Sequence, residues 1–369
     1  MAEPIRIEGD ESVVTGRHFR RLEDGRLQCD VCPRHCRLAE GQRGLCFVRG
    51  RAGDEVVLTT YGRSSGFCID PIEKKPLNHF LPGTPVLSFG TAGCNLSCRF
   101  CQNWDISKSR ELDTLQDEAS PETIARAAWD LGCRSVALTY NDPVIFLEYA
   151  VDAAKACREQ GVRSVAVTAG YVCSEPRAEF FAAMDATNVD LKGFSESFYK
   201  NVCAAELAPV LDTLVYLRHE TDVWLEITTL LVPGENDSTG ELEAMAGWVA
   251  EHLGPAVPWH FSAFHPDFKM TNKVATPFDT LERARRIALE VGIHHVYTGN
   301  VHDPDGQSTY CHGCGARVIG RSGYVLDDWQ LTPEGECASC GQHCPGVFEA
   351  APGRWGARRV PIRPSDYAR

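Results

Sequence analysis

The chain has 369 residues, 43% of them hydrophobic, and a formal net charge of -13 at pH 7. This length can form one large domain with smaller attachments. The acidic balance argues against a nucleic-acid groove, because binding to phosphates depends on clustered lysine and arginine. No apolar run approaches the ~20 residues of a membrane span, so we expect neither nucleic acid nor a membrane as a partner.

The seventeen cysteines of the chain fall largely into closely spaced groups. In a short secreted protein such groups would indicate disulfides. We expect no signal peptide at the N-terminus, and we interpret the groups as metal ligands in a reducing, cytoplasmic protein.

The first group lies in residues 1–70, which we predict to be an N-terminal cysteine-rich module. Four thiolates close a tetrahedral site, which is usually structural zinc, but four thiolates also hold an auxiliary iron–sulfur cluster. The spacing does not distinguish the two metals. The candidate ligands are Cys29, Cys32, Cys36 and Cys46.

The second group, Cys94, Cys98 and Cys101, lies on one short loop directly after the apolar run Pro85 to Phe89. Three thiolates can hold three irons of a cubane cluster, and no fourth cysteine follows on the loop. An open iron separates a site that does chemistry from one that only stabilises a fold. Such an iron can chelate the amino and carboxylate groups of S-adenosylmethionine (SAM) and pass one electron to its sulfonium, which is radical chemistry.

Short β-branched runs alternate with amphipathic stretches from about residue 84 to residue 300, the pattern of parallel βα units. Because no glycine-rich dinucleotide fingerprint is present, we predict a partial (β/α) TIM-like barrel over residues 80–305, with small cysteine-rich modules at both ends. The predicted strands are Pro85 to Phe89, Ser135 to Tyr140, Ser164 to Thr168, Asn188 to Leu191, Trp224 to Leu230, Trp259 to Phe264 and His295 to Tyr297.

Four helices are predicted between these strands from their end signals and apolar stripes. Ser-Pro at residues 120–121 and Asp-Pro at residues 142–143 open the first two helices. The glycines that we expect to end the four helices are Gly132, Gly161, Gly254 and Gly292.

Polar motifs follow the predicted strands, where a barrel places its ligand-binding loops. Asp142 is a candidate to accept a hydrogen bond from SAM, and it is also a well-placed helix N-cap. Lys192 ends an apolar strand and needs an anion, for which the SAM carboxylate is one candidate and Asp190 or Glu226 the structural alternative. The sequence identifies no catalytic residue.

The third group lies in residues 306–369, which we predict to be a C-terminal zinc-ribbon or rubredoxin-like module. Two C-x2-C pairs flank two predicted short strands and a turn, an arrangement that favours zinc. Iron in the same site would make it an electron relay. Cys344 is left over, as a free thiol or an alternative ligand. The predicted zinc ligands are Cys311, Cys314, Cys337 and Cys340.

The cysteine loop, with Phe100 before its last cysteine, resembles the radical SAM signature. Together with residues 70–80 (Asp-Pro-Ile-Glu-Lys-Lys-Pro-Leu-Asn-His-Phe) and 102–104, it resembles the radical SAM enzyme of the AmmeMemoRadiSam system, which is similar to pyruvate formate-lyase activating enzymes. The resemblance implies a radical SAM barrel with a [4Fe-4S] cluster and SAM as cofactors. It also implies an electron donor such as flavodoxin or ferredoxin, and a Memo-like and an AMMECR-type protein as companions.

The sequence therefore predicts an enzyme that reductively cleaves SAM to methionine and a 5′-deoxyadenosyl radical, which abstracts hydrogen from an unidentified substrate. One alternative is a glycyl-radical-enzyme activating enzyme, whose substrate is a glycine on a partner protein. An alternative of another class is a non-catalytic metal scaffold or electron carrier that uses its cysteine sites for structure or redox.

Overall fold

A nine-stranded sheet forms the centre of the computed structural model, which describes residues 11–109, 115 and 117–367. Residues 1–10 of the predicted N-terminal module and residues 368–369 of the predicted C-terminal module lie outside the described residues. Among the described residues, no helix combines the length and the apolar character needed to cross a membrane.

The strands are short near both ends of the chain and longer in the central sheet. They are β1 Val14–Thr15, β2 Phe19–Arg21, β3 Leu27–Cys29, β4 Arg37–Leu38, β5 Arg49–Ala52, β6 Glu55–Leu58, β7 Arg63–Ser64, β8 Phe67–Pro71, β9 Pro85–Phe89, β10 Asp117–Glu118, β11 Ser135–Leu138, β12 Arg163–Thr168, β13 Ala186–Asp190, β14 Trp224–Leu231, β15 Trp259–Ala263, β16 Val296–Gly299, β17 Thr309–Tyr310, β18 Arg317–Ser322, β19 Val325–Trp329 and β20 Val360–Ile362.

The longer helices lie between the strands of the central sheet. The helices are α1 Trp104–Ser107, α2 Pro121–Asp130, α3 Leu147–Glu159, α4 Ser174–Ala182, α5 Glu196–Phe198, α6 Ala208–Glu220, α7 Thr239–His252, α8 Phe278–Val291 and α9 Pro304–Gln307. Single helical turns of the 3₁₀ type lie at Ile72–Lys74, Pro143–Phe146 and Pro364–Tyr367, and a π-helical turn lies at Tyr199–Cys203.

Seven strands of the central sheet run parallel and follow one another in chain order. The order across the sheet is β16-β15-β14-β13-β12-β11-β9-β8-β20, with β8 and β20 antiparallel at one edge. Because each crossover returns beside the preceding parallel strand, the carboxyl ends of these strands meet on one side. This topology confirms the predicted α/β class and the partial (β/α) barrel.

Six of the seven predicted strands differ from the observed strands by one or two residues at one or both ends. The prediction Ser135 to Tyr140 is wrong at its end: β11 stops at Leu138, because Tyr140 has a φ of 72°, which a strand does not allow. The prediction His295 to Tyr297 is wrong by a shift, since β16 is Val296–Gly299. By contrast, β9 has the predicted bounds.

The predicted helix caps have the geometry that their residue types favour. The Ser120 hydroxyl accepts a hydrogen bond from the Thr123 amide at 3.2 Å and so caps α2. Asp142 caps the 3₁₀ turn Pro143–Phe146, which leads directly into α3. Gly292 ends α8 with a φ of 108°, a left-handed conformation that glycine adopts without strain.

A buried ion pair joins the N-terminal strands to the barrel. Arg49 on β5 pairs with Glu148 on α3, and only 2% and 6% of their side-chain surfaces are exposed. Arg49 Nε also donates to the Ile145 carbonyl at 2.9 Å, and Glu148 Oε1 accepts from the Arg17 amide at 2.6 Å. Each charge is therefore held by several hydrogen bonds, as a buried ion pair requires.

The C-terminal strands return to the central sheet. Strands β17, β18 and β19 form a small antiparallel sheet, and β20 then pairs with β8 at the edge of the large one. Arg321 on β18 is fully buried and donates to the Asn78 carbonyl at 2.7 Å. A bridge between Phe80 and Val347 adds a backbone contact to the same segment.

We predict that Glu148→Ala lowers the free energy of unfolding by about 3–5 kcal/mol, because it leaves the buried Arg49 guanidinium without its counter-ion. Urea unfolding measures this effect. The matched control is Glu290→Ala, which breaks an exposed pair with Arg286 and should change stability by less than about 0.5 kcal/mol. Equal effects of the two substitutions would contradict the structural role of the Arg49–Glu148 pair.

Candidate functional site

A cavity of about 380 Å³ lies at the edge where the carboxyl ends of the parallel strands meet. Cys94, Cys98 and Cys101, on the loop after β9, form part of its wall. The ends of the other parallel strands and their loops supply further wall residues: Asn141, Asp142, Thr168, Ala169, Asp190, Lys192, Thr228, Ser262 and Asn300. Every parallel strand therefore contributes to one cavity that contains the cysteine loop.

The cysteine loop is held at its start by the side chain of Asn141. Asn141 Nδ2 donates to the Gly93 carbonyl at 2.9 Å, and Oδ1 accepts from the Thr91 amide at 3.2 Å. Gly93 has a φ of 78°, and a Cβ atom built there would lie 1.9 Å from the Cys46 carbonyl oxygen. Only glycine fits between the loop and the N-terminal module at this point.

Three further hydrogen bonds fix the loop between its cysteines. Arg34 Nε donates to the Asn95 carbonyl at 2.8 Å. The Ser97 and Arg99 amides donate to the carbonyls of Cys203 and Val202, at 3.0 and 2.9 Å. The loop is thus positioned by the N-terminal module on one side and by the π-helical turn on the other.

The three sulfur atoms are too far apart for a single tetrahedral ion. Sulfur atoms around one zinc lie about 3.8 Å apart, given a Zn–S distance of ~2.3 Å. Among the described residues, Cys94, Cys98 and Cys101 are in none of the sets of three or more ligand atoms that lie within 4.8 Å of one another. Three thiols spread around an open cavity fit a cubane cluster with one iron left for a ligand.

The electrostatic surroundings of Cys98 favour a thiolate. A hydrogen bond from Cys203, with the positive charges of Lys192 and Lys108, lowers the pKa of Cys98, whereas burial opposes this shift. The thiolate is the form that binds iron. The donor set and its charge therefore fit the [4Fe-4S] cluster that the sequence predicts.

Asp142 and Lys192, the two predicted SAM contacts, both line the cavity and both have protein partners. Asp142 Oδ1 accepts from Thr168 Oγ1 at 2.8 Å, and Oδ2 accepts from the Ala169 amide at 3.2 Å. Burial raises the pKa of Asp142 to about 6. Lys192 Nζ lies 2.7 Å from Asp190 Oδ2, so Asp190 is its anionic partner. Contact of either residue with SAM stays a prediction.

Glu226, the other candidate partner of Lys192, is held elsewhere. Its carboxylate accepts from the Asn78 and His79 amides at 3.0 and 2.8 Å. His260 Nε2 lies 2.7 Å from Glu226 Oε2. Glu226 therefore holds the backbone at Asn78 and His79.

A charged cluster beside the cavity was missed by the sequence reasoning. Asp70 is fully buried and lies 2.9 Å from Lys74 Nζ and 2.7 Å from Lys75 Nζ, and it accepts from the Tyr140 hydroxyl at 3.0 Å. Burial opposes ionisation of Asp70, but the two lysines lower its pKa to about 2. Burial lowers the pKa of Lys75 to about 8. The sequence signal for this cluster was the pair of adjacent lysines four and five residues after an aspartate.

A second cavity, of about 440 Å³, adjoins the first. It is lined by Glu73 and Arg321, both buried. Glu73 Oε2 and Arg321 Nε form no hydrogen bond with any part of the chain that the structure describes. Burial raises the pKa of Glu73 to about 7. The wall residues shared by the two cavities are Lys74, Pro76, Ser262, Asn300 and Tyr324.

The four predicted zinc ligands come together in the C-terminal sheet. Cys311 Sγ lies 3.6 Å from Cys340 Sγ, and Cys314 Sγ lies 3.8 Å from Cys337 Sγ. All four sulfur atoms lie within 4.8 Å of one another, the spacing of a single tetrahedral ion. Cys344 is outside this set: it is buried, and its Sγ lies 3.9 Å from His79 Nδ1.

The four N-terminal cysteines line one small enclosed cavity next to the cysteine loop. Asn95, from that loop, is part of the same wall. The lining cysteines are Cys29, Cys32, Cys36 and Cys46.

Comparison with known proteins gives a match to the radical SAM superfamily over residues 89–246. An uncharacterised protein of Methanocaldococcus jannaschii is 40% identical over 327 residues, which cover 88% of this chain and 96% of that protein. The pyruvate formate-lyase 1-activating enzyme of Escherichia coli is 22% identical over 228 residues, or 57% of this chain and 91% of the enzyme. A radical SAM methyltransferase structure from Sphaerobacter thermophilus aligns at 14% identity with a TM-score of 0.47, covering 78% of this chain and 76% of that one.

We predict that Gly93→Ala prevents normal iron uptake at Cys94, Cys98 and Cys101, because the new Cβ collides with the Cys46 carbonyl. Iron content after anaerobic reconstitution and urea unfolding measure the effect. The control is Gly132→Ala, which has a φ of 68° and no atom within 4 Å of a built Cβ. It should lose only about 1 kcal/mol from backbone strain and keep its iron. Equal iron loss in both variants would contradict this account of the loop.

Proposed function

Because this chain belongs to the radical SAM superfamily, we propose that Cys94, Cys98 and Cys101 hold a [4Fe-4S] cluster whose fourth iron binds SAM. When bound, this cluster supplies the electron that cleaves SAM to methionine and a 5′-deoxyadenosyl radical. The observation that carries the proposal is the arrangement of the loop. It holds three separated thiols and no fourth cysteine, and it lies in the wall of a cavity to which every parallel strand contributes. The protein is a radical SAM enzyme, so we no longer consider the alternative of a non-catalytic metal scaffold or electron carrier.

We propose that the chain holds SAM through the polar ends of its strands. Lys192 carries the positive charge that a SAM carboxylate needs, and its pairing with Asp190 keeps the ammonium in the wall of the cavity. Asp142 offers carboxylate oxygens to the amino or ribose groups. Thr168 and the Ala169 amide hold that carboxylate in place, which orients it before SAM arrives.

The second cavity is the proposed substrate site. It shares a wall with the first, so a substrate in it would lie beside the radical when that radical forms. Its buried Glu73 carboxyl oxygen and Arg321 guanidinium nitrogen without hydrogen-bond partners among the described residues favour a polar substrate. Tyr324 and Lys74 are part of both cavity walls.

We also propose that the enzyme works in the AmmeMemoRadiSam system, with a Memo-like and an AMMECR-type protein. The string at residues 70–80 supports this, and its Lys74 and Lys75 lie in the cavity wall. An electron donor such as flavodoxin or ferredoxin is required to reduce the cluster. The cytoplasm is the proposed compartment, because eleven of the cysteines fall into three groups at the spacing of metal ligands, which a reducing compartment keeps as thiols.

A second candidate is activation of a glycyl radical enzyme. Similarity to the pyruvate formate-lyase 1-activating enzyme over 57% of this chain favours it. Incubation of the reduced enzyme and SAM with a candidate partner protein, followed by EPR, would show a glycyl radical doublet. Transfer of deuterium from a labelled small molecule into 5′-deoxyadenosine would instead support the first candidate.

We predict that Cys98→Ala abolishes formation of 5′-deoxyadenosine and removes the cluster at this loop, because two thiolates do not retain the cubane. Liquid chromatography of the product and iron analysis after anaerobic reconstitution measure both losses. Cys157→Ala is the control, since Cys157 is a fully buried thiol in α3 away from the cavity walls. Full SAM cleavage by Cys98→Ala would refute the assignment.

We propose zinc at Cys311, Cys314, Cys337 and Cys340, on the sulfur spacing of that site. We predict that Cys340→Ala, at an exposed ligand, lowers bound zinc by about one atom per chain, because three thiolates hold the ion more weakly. Mass spectrometry of the purified protein measures the metal. Ser339→Ala, next to the ligand, is the control. Iron in place of zinc in the unsubstituted site would contradict the assignment.

A further inference from the structure

The N-terminal cavity has the donors of a metal site but not the spacing of a single ion. Cys29, Cys32, Cys36 and Cys46 line it together. Within residues 11–109, 115 and 117–367, no three of these sulfur atoms form a set in which all lie within 4.8 Å of one another. The C-terminal quartet does form such a set in the same structure. The N-terminal quartet, like the loop at residues 94–101, therefore lacks the sulfur spacing of a single tetrahedral ion among the described residues.

The wall of this cavity also carries guanidinium nitrogen atoms that have no hydrogen-bond partner among the described residues. Arg49 and Arg34 both line it. Arg49 Nη1 and Arg34 Nη2 are buried and form no hydrogen bond with the described residues. Buried guanidinium groups with free N–H donors favour an anionic occupant that accepts hydrogen bonds. A four-thiolate iron–sulfur cluster is such an occupant, because its sulfides accept hydrogen bonds and its net charge is negative.

The thiols themselves are costly to leave without a metal. Cys29 and Cys46 are buried, and Cys32 and Cys36 are partly buried. Ligation supplies the positive charge that stabilises these sulfurs as thiolates in an apolar wall, to which Val31, Leu38 and Ile145 contribute.

The cavity lies directly against the SAM-cluster loop. The Cys46 carbonyl packs on Gly93, the residue before Cys94. Asn95, the residue after Cys94, lines the N-terminal cavity, and its carbonyl accepts from Arg34. The two cysteine sites are therefore adjacent, because the residues on either side of Cys94 contact the N-terminal module.

We propose that Cys29, Cys32, Cys36 and Cys46 hold a second [4Fe-4S] cluster, closed by four ligands, that passes electrons to the cluster at Cys94, Cys98 and Cys101. The electron-transfer role rests on the proposed function, whereas the presence of the second cluster does not. An external one-electron reductant reduces the second cluster from the 2+ to the 1+ state. The second cluster returns to 2+ as the first goes from 2+ to 1+, and each electron cleaves one SAM.

Iron and sulfide analysis of the reconstituted full-length protein tests the second cluster. We expect about eight iron and about eight sulfide atoms per chain, with EPR signals from one cluster that changes on addition of SAM and one that does not. The double variant Cys32→Ala with Cys46→Ala should lose half of the iron and the SAM-insensitive signal. The control pair Cys133→Ala with Cys157→Ala, both buried thiols outside the three cysteine groups, should keep both signals. About four iron with two zinc atoms per chain would overturn the proposal.

A complementary variant keeps the test decisive if the double variant does not fold. Replacement of Cys94, Cys98 and Cys101 by alanine should leave about four iron per chain and an EPR signal that SAM does not alter. Loss of all iron from this variant would contradict a second cluster.

A single-turnover experiment tests the electron transfer. Protein reduced with dithionite and then desalted is mixed with SAM alone, so that each 5′-deoxyadenosine formed reports one stored electron. We expect up to about two per chain from the unsubstituted protein and no more than about one from Cys32→Ala with Cys46→Ala. A yield of one from both would overturn the relay. No product from a protein with eight iron atoms would contradict the proposed function and the relay, while the second cluster would still be supported.

Discussion

The hydrogen bonds between the Asn141 side chain and the backbone at residues 91–93 are the contacts on which the site depends. They tie the start of the cysteine loop to the end of the neighbouring strand, so the sheet determines where the first thiol lies. Gly93 then allows the loop to pass against Cys46 without a side chain between them. Cavity, loop and N-terminal module are positioned together by this small region of backbone.

The molecule as a whole is acidic, yet its interior sites carry positive charge. Lys75 and Arg49 are buried and Lys192 is partly buried, and each lies beside a carboxylate that stabilises the charged form of the cation. Such pairs cost desolvation energy, and they are tolerated where several hydrogen bonds hold both partners. The result is a set of fixed cations next to thiols and to cavities suited to anionic groups, inside a chain of net charge -13.

Local patterns predicted the parts of the fold that local physics controls. The strand Pro85–Phe89 and the Ser120 cap were predictable because a short apolar run and a helix cap both involve neighbouring residues. The Asp70–Tyr140 contact was not, because it joins residues seventy positions apart. The cysteine spacings predicted three metal sites, but the difference between a single ion and a cluster depends on distances between sulfur atoms that only the folded chain defines. Whether Lys192 pairs with Asp190 or Glu226 likewise depended on tertiary contacts, because residues 78, 79 and 260 hold the Glu226 carboxylate.

Tyr324 lies on the turn of the C-terminal hairpin and closes one side of both cavities. The hairpin belongs to a small sheet whose apolar cluster includes Cys311 and Cys337, two of the four clustered cysteines. The shape of both cavities therefore depends in part on a C-terminal module that lies outside the parallel strands of the barrel. Exchange of that module between related proteins offers a route to new specificities without any alteration of the radical-generating machinery.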